Sequence, residues 1–213
     1  MYRILNARFA VLFCVLFTLA TPLLANEGTD VIGTVSRIQK SAVAMQDALP
    51  RILKAGSDIQ LGDVISTGKG ARVEIIMSDG AKLTLGERTH FVVQEYVISQ
   101  GGNNAVMRLL EGAFKVTSGK LMQSADASFV VNTNTATIGI RGTTFWGGSL
   151  DGDFEVSLLA GKGVYVETKA GRVNLSSIDE GTKITSANLS PSKPKKWGQK
   201  KVDRAAATVT FNE

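Results

Sequence analysis

The sequence is poor in the residues that make reactive centres: His90 is its only histidine and Cys14 its only cysteine among 213 residues. The usual zinc, copper and haem ligand sets draw on several imidazoles or thiolates, so His90 cannot assemble one. As a general base it would need a serine and an orienting acid, and no G-x-S-x-G nucleophile elbow occurs. Cys14 lies in an apolar run near the N-terminus, so the chain beyond it has no disulfide, thiolate metal site or cysteine nucleophile. Stability then rests on the core alone. A long 3.6-residue periodicity is also missing, which points away from helices.

The N-terminal segment stands apart. Arg3 and Arg8 precede an apolar run at residues 9–20, followed by Thr21, Pro22, Leu23, Leu24 and Ala25. This reads as a signal peptide over residues 1–25, cleaved after Ala25, and the run is short for a spanning helix. A retained anchor is the alternative, because Leu23 stands where a smaller residue is preferred. Leu12 and Phe13 are bulky where lipoprotein processing wants small residues, so Cys14 carries no lipid. The expectation is a periplasmic or secreted protein with no stable membrane span after cleavage. Losing Arg3 and Arg8 lowers the basic count from 24 to 22 against 19 acids and the net charge from +5 to +3. That surplus is too mild for a nucleic-acid partner. Much of it sits in a basic, proline-bearing tail at residues 188–213, with Lys193, Lys195, Lys196, Lys200, Lys201 and Arg204. A solvated tail is the plain reading, and contact with anionic lipid or polysaccharide the other.

From Val31 onward short β-type runs alternate with glycine-bearing turns. Strands are predicted at 31–38, 63–67, 71–77, 82–85, 91–97, 105–110, 113–117, 129–131, 135–140, 154–159, 164–168, 172–175 and 182–185, with 41–53 a loop that Pro50 keeps from being helical. Residues 26–187 form one all-β domain. Ile59 to Thr67 is echoed by Ile178 to Ser186, and Leu109-Leu110-Glu111-Gly112 by Leu158-Leu159-Ala160-Gly161. Such repeats suggest short units that bury their faces against neighbours, so a β-solenoid-like roll of short strands is expected, with a two-sheet β-sandwich as the alternative.

Residues 129–148, FVVNTNTATIGIRGTTFWGG, organise the chain. Ala136, Ile138 and Ile140 alternate with Thr137, Gly139 and Arg141, which is strand patterning with the apolar set inward. The bare Gly139 leaves room for the Arg141 guanidinium to lie along the sheet. Arg141 is expected as a structural arginine paired with an inward carboxylate such as Asp63, Asp79 or Glu111; an anion or partner contact is the other reading. Gly142 predicts a kink before Phe145 and Trp146, one buried and one free to stack on a sugar or dock a partner, with Trp146 the ligand candidate.

Other candidates are weaker. Asp151, Asp153 and Glu155 could serve a glycosidase or calcium, but the Asp-Gly-Asp setting predicts a turn and the twelve-residue calcium loop is absent. Gly68-Lys69-Gly70 and Gly161-Lys162-Gly163 precede no helix, so they are hairpin turns, not phosphate loops.

The chain from about Val31 to Ile184 resembles the FecR-type extracytoplasmic domain. The resemblance rests on Gly62-Asp63-Val64-Ile65-Ser66-Thr67, Val73-Glu74-Ile75-Ile76-Met77-Ser78-Asp79-Gly80, Leu109-Leu110-Glu111-Gly112, Thr135-Ala136-Thr137-Ile138 and Ile140-Arg141-Gly142-Thr143-Thr144-Phe145. Asn134 departs from it, standing where many members have proline. The resemblance implies a β-rich interaction module without catalysis or cofactor. Its signature residues are Gly62, Asp63, Asp79, Gly80, Gly112, Arg141, Gly142, Thr143 and Phe145, as structural or partner-contact positions. Signalling members contact an outer-membrane transporter's signalling domain and control a sigma factor across the inner membrane. They carry a cytoplasmic sigma-binding segment and a membrane helix, which the short stretch before residue 9 leaves no room for here. The expectation is therefore a stand-alone exported module that binds an envelope protein through a sheet edge or loop rim. A polysaccharide-binding envelope protein and a periplasmic signal relay are the alternatives.

Overall fold

β-Branched and aromatic residues at every second position commit most of the chain to strands, and glycine or left-handed corners set where each strand stops. The computed structural model describes residues 30–99 and 102–212; the signal-peptide expectation and Cys14 lie outside them. In order, the elements are β1 (Val31–Gln39), β2 (Ala42–Gln46), β3 (Leu49–Ile52), β4 (Asp58–Gln60), β5 (Val64–Thr67), β6 (Arg72–Met77) and β7 (Lys82–Leu85). Two long arms follow, β8 (His90–Ser99) and β9 (Gly102–Glu111), then β10 (Phe114–Thr117), a 3-10 turn at Lys120–Gln123, β11 (Ser128–Asn132) and β12 (Thr137–Ile140). A second long hairpin, β13 (Thr143–Ser149) and β14 (Phe154–Gly161), leads to β15 (Val164–Thr168), β16 (Gly171–Leu175), β17 (Glu180–Ile184), β18 (Lys195–Lys196) and the helix α1 (Gln199–Val209).

The strands form two nine-stranded sheets, sheet A in the order β18-β17-β14-β13-β10-β7-β6-β1-β4 and sheet B in the order β16-β15-β12-β11-β9-β8-β5-β2-β3. Both sheets share one core, in which Phe114 of sheet A lies 5.5 Å from Phe91 of sheet B and 5.4 Å from Phe145. The arrangement is sandwich-like. The chain fills it by hairpins that feed the two sheets alternately, and both sheets advance from the N-terminal to the C-terminal end. The coils of a solenoid would pair in parallel. Here the described pairings are antiparallel except β9 with β11, which are parallel because β10 crosses to the other sheet between them.

The Leu109–Gly112 echo is realised in three dimensions. Gly112 and Gly161 adopt φ of 101° and 102°, and each lies where a Cβ would strike a threonine, Thr89 or Thr143. Each threonine follows a left-handed residue, Arg88 (φ 48°) or Gly142 (φ 60°), at the corner where the chain changes sheets. The two corners are one device used twice, with the sheets exchanged.

The loop expected at 41–53 is instead the hairpin β2–β3. Asp47 (φ 49°) and Ala48 (φ 62°) are both left-handed, the geometry of a tight two-residue turn. Pro50 is tolerated because β3 is the edge strand of sheet B. The turn after β11 forms without proline: the Thr133 hydroxyl accepts from the amides of Thr135 and Ala136.

The segment expected as a solvated tail is folded onto sheet A. Ala205 and Val209 of α1 are buried with Trp146 and Ala113. Trp146 Nε1 donates to Thr208 Oγ1 at 2.9 Å, and Trp197 meets Trp146 edge-on at 5.9 Å. Lys201 Nζ lies 2.5 Å from Glu155, whose carboxylate is buried, and Arg204 is 2.7 Å from Asp151. No helix among the described residues is long and apolar enough to cross a membrane.

Candidate functional site

Most of the signature residues hold turns closed. Gly62 (φ 86°) starts β5, and the fully buried Asp63 accepts from the Gln60 amide at 2.7 Å and from Arg51 Nη2 at 2.5 Å. Phe145 is core, and Gly80 (φ 84°) turns β6 into β7. Asp79, buried at that turn, accepts from the Ala81 amide at 2.8 Å and the Leu121 amide at 2.9 Å, and Tyr96 donates its hydroxyl to it. Burial and then the Asp79 hydrogen bond push the Tyr96 phenol far above its ordinary value. Asp79 thereby fixes the 3-10 turn that starts the loop between β10 and β11. Gly119 is needed there, since a Cβ would strike the Asp79 carboxylate and the Ala81 amide.

Thr143 closes the same end of the sandwich. Its hydroxyl lies 3.0 Å from the Arg141 carbonyl, 2.8 Å from the Gly163 carbonyl and 3.2 Å from the Gly163 amide. The Thr143 amide donates to Ser118 Oγ at 2.9 Å, and the Ser118 amide donates to the Thr143 carbonyl at 3.0 Å. The β6–β7 turn, the loop after β10 and the β12–β13 and β14–β15 corners are thus tied into one rim.

Arg141 differs from the rest. Its amide donates to the Gly163 carbonyl at 3.2 Å, but its side chain is exposed and makes no hydrogen bond or ion pair among the described residues. The expected carboxylate partners are elsewhere: Asp63 is held by Arg51, Asp79 by Tyr96 and amides, and Glu111 is exposed on β9. Nor does the guanidinium lie over Gly139. The ring of Tyr165, directly opposite on β15, fills that space, with the Arg172 guanidinium 4.2 Å above it. Ala136, Ile138 and Ile140 do point inward.

Arg141 instead lines a groove of about 510 Å³ at this rim. One wall is the loop after β10, with Met122, Ser124 and Ser128; the other is the Arg141–Gly142 corner and Lys162, over a base of Phe129, Ile140 and Tyr165. Lys162, also exposed, has no acidic partner among the described residues, and its amide donates to the Gly142 carbonyl at 3.4 Å. Sequence reasoning missed Lys162, though its Gly161-Lys162-Gly163 turn was visible.

The other candidates are not brought together. Trp146 is fully buried beneath α1, so it offers no face to a sugar. Asp151, Asp153 and Glu155 pair with Arg204, Lys183 and Lys201, and Gly152 (φ 98°) makes the turn between them. His90 Nδ1 lies 2.8 Å from Ser66 Oγ, a contact across β5 and β8 that the linear sequence concealed. Glu111 stands opposite His90 in register but makes no hydrogen bond to orient the ring. No group of three or more metal-ligating side chains occurs among the described residues.

A two-sheet module whose signature residues shape a cationic rim is the class of protein these features define. Residues 63–162 match the family model described as FecR protein. Two crystal structures of a candidate anti-sigma factor from Parabacteroides distasonis, at 1.65 and 2.50 Å, are similar in fold, each with TM-score 0.52 and 19% identity. In each case the match covers 65% of this chain and 61% of that one, so this chain spans under two thirds of the length of those proteins. No curated protein matches the chain.

Proposed function

We propose that the protein is a non-catalytic regulator of the signal-relay type that acts by binding a protein partner at the groove of Arg141 and Lys162. The observation that carries this reading is Arg141: the corner that bears it is closed by Thr143 without help from its side chain, which leaves a cation presented to solvent from a rigid rim. The match to the FecR family model and the fold shared with candidate anti-sigma factors support action through protein contacts. The reading of residues 1–25 as a signal peptide supports action in the periplasm or outside the cell. Edge pairing is less favoured at three of the four sheet edges, since β3 carries Pro50 and β4 and β18 are very short, which leaves β16 as the competing edge. The polysaccharide reading loses its stacking residue with Trp146 buried.

The test is crosslinking and pull-down of the tagged protein from its native cell envelope, wild type against Arg141→Glu/Lys162→Glu. A protein held by the wild type and lost from a variant with the same melting temperature supports the reading. Equal recovery with both, or recovery of glycan alone, overturns it.

A further inference from the structure

The grooves of this molecule differ in how their charge is arranged. The one beside α1 mixes Arg72, Arg88 and Arg204 with Glu87 and Glu111, and the one beside Trp197 gathers Lys183, Lys195, Lys196 and Lys201 around Glu155, with which Lys201 is paired. A third, near Thr133 and Phe154, holds Glu111 and Asp153 with no cation. In the Arg141 groove the two charged lining residues are both cations, Arg141 and Lys162, and Asp126 of its loop is exposed and not part of the lining.

The internal repeat shows what the fold itself requires at this position. Glu87 occupies the place before the left-handed residue at the first corner, as Arg141 does at the second. Glu87 is used internally: it accepts from the Gly70 amide at 2.6 Å, and that bond holds its carboxyl below the ordinary range, with Arg72, Arg88 and Lys69 adding to the effect against burial. Arg141 has no such role. A guanidinium offers a planar fork that matches a carboxylate in two parallel hydrogen bonds, and an ammonium on the next corner adds a second charge. Met122, Phe129, Ile140 and Tyr165 supply apolar surface beside the cations.

From this, and resting on the groove being the partner site, we infer that it recognises an acidic side chain flanked by apolar residues in an extended segment of the partner. The carboxylate meets Arg141 and Lys162, and the flanking side chains lie along Met122, Phe129 and Tyr165. Ser124 and Ser128 are placed to donate to the same segment.

The probe is a blocked pentapeptide of alternating leucine and glutamate, titrated into isotopically labelled protein and followed by amide shifts, against its glutamine counterpart and inorganic phosphate. The expected result is movement at residues 124–129, 140–143 and 161–165, at least tenfold weaker with the glutamine peptide and lost in Arg141→Gln/Lys162→Gln. Equal binding of the two peptides, movement elsewhere, no movement, or a site that takes phosphate but not the glutamate peptide overturns the inference. A partner lost on Arg141→Glu/Lys162→Glu but held unchanged by Arg141→Gln/Lys162→Gln would overturn it while leaving the proposed function standing. Loss of both partner and peptide binding at the groove would remove the two together.

Discussion

Thr89 and Thr143 make the same set of hydrogen bonds at two different corners. The Thr89 hydroxyl lies 3.3 Å from the Glu87 carbonyl and 3.2 Å from both the carbonyl and the amide of Ala113. The Thr143 hydroxyl lies 3.0 Å from the Arg141 carbonyl and 2.8 and 3.2 Å from the carbonyl and amide of Gly163. Because this closes the corner through the backbone, the side chain two residues earlier is free to serve another purpose.

Thr143→Val keeps the shape but leaves a buried amide and carbonyl without their partner. It should cost about 1–3 kcal/mol, and Thr89→Val a similar amount. The corners share no residue, so the double variant should be additive within about 0.5 kcal/mol. Urea unfolding of the three variants measures this. A strong coupling would show that the corners are not independent.

Arg141→Ala should leave stability within about 0.5 kcal/mol of wild type, since the side chain is exposed and unpaired. Asp63→Ala, by contrast, removes a fully buried carboxylate that accepts from Gln60 and Arg51, and should cost about 2–4 kcal/mol. Thermal melts of the two variants side by side decide the matter; equal losses would place Arg141 among the structural residues.

Tyr96 gives the fold an alkaline limit. Its folded pKa lies above the ordinary value of 10.0, through burial and the Asp79 bond. Its contribution is therefore complete below about pH 10 and declines as pH rises toward the folded value, by up to about 1.4 kcal/mol per pH unit. Tyr96→Phe lacks this dependence. Its stability difference from wild type should hold from pH 6 to 9 and then move in favour of the variant above pH 10. A difference unchanged to pH 11 would contradict the assignment.

Ending the chain at Ser192 removes Trp197 and α1 and uncovers Trp146. Stability should fall by about 3 kcal/mol or more, as for loss of the packing around a large aromatic side chain. Since the sequence has two tryptophans, Trp146 becomes the sole emitter, and its fluorescence should shift to the red. An unshifted spectrum with an unchanged melt would mean that α1 does not shield it.

Strand positions and inward faces were legible because alternation and burial coincide, as at Ala136, Ile138 and Ile140. The β2–β3 hairpin was hidden because its left-handed pair, Asp47 and Ala48, contains no glycine. A helix signal did exist in Val202, Ala205 and Val209, spaced three and four apart, but it was short and set among lysines. The surroundings of Arg141 and Trp146 could not be read locally. Gly139 is covered by Tyr165 from a strand that follows later, and Trp146 by a helix more than fifty residues away. The groove itself joins a loop fixed by Asp79 to corners fixed by Thr143, a long-range assembly with no linear motif.

The central claim is that the rim bearing Arg141 and Lys162 is where a protein partner sits. A photoreactive residue placed singly at Ser124, Ser128 or Lys162, with Leu49 and Asn174 as controls on the sheet edges, tests it in living cells. The account predicts one discrete crosslinked protein from the three groove positions and none from the controls. Crosslinks from Leu49 or Asn174 with none from the groove would contradict it and move the interface to a sheet edge.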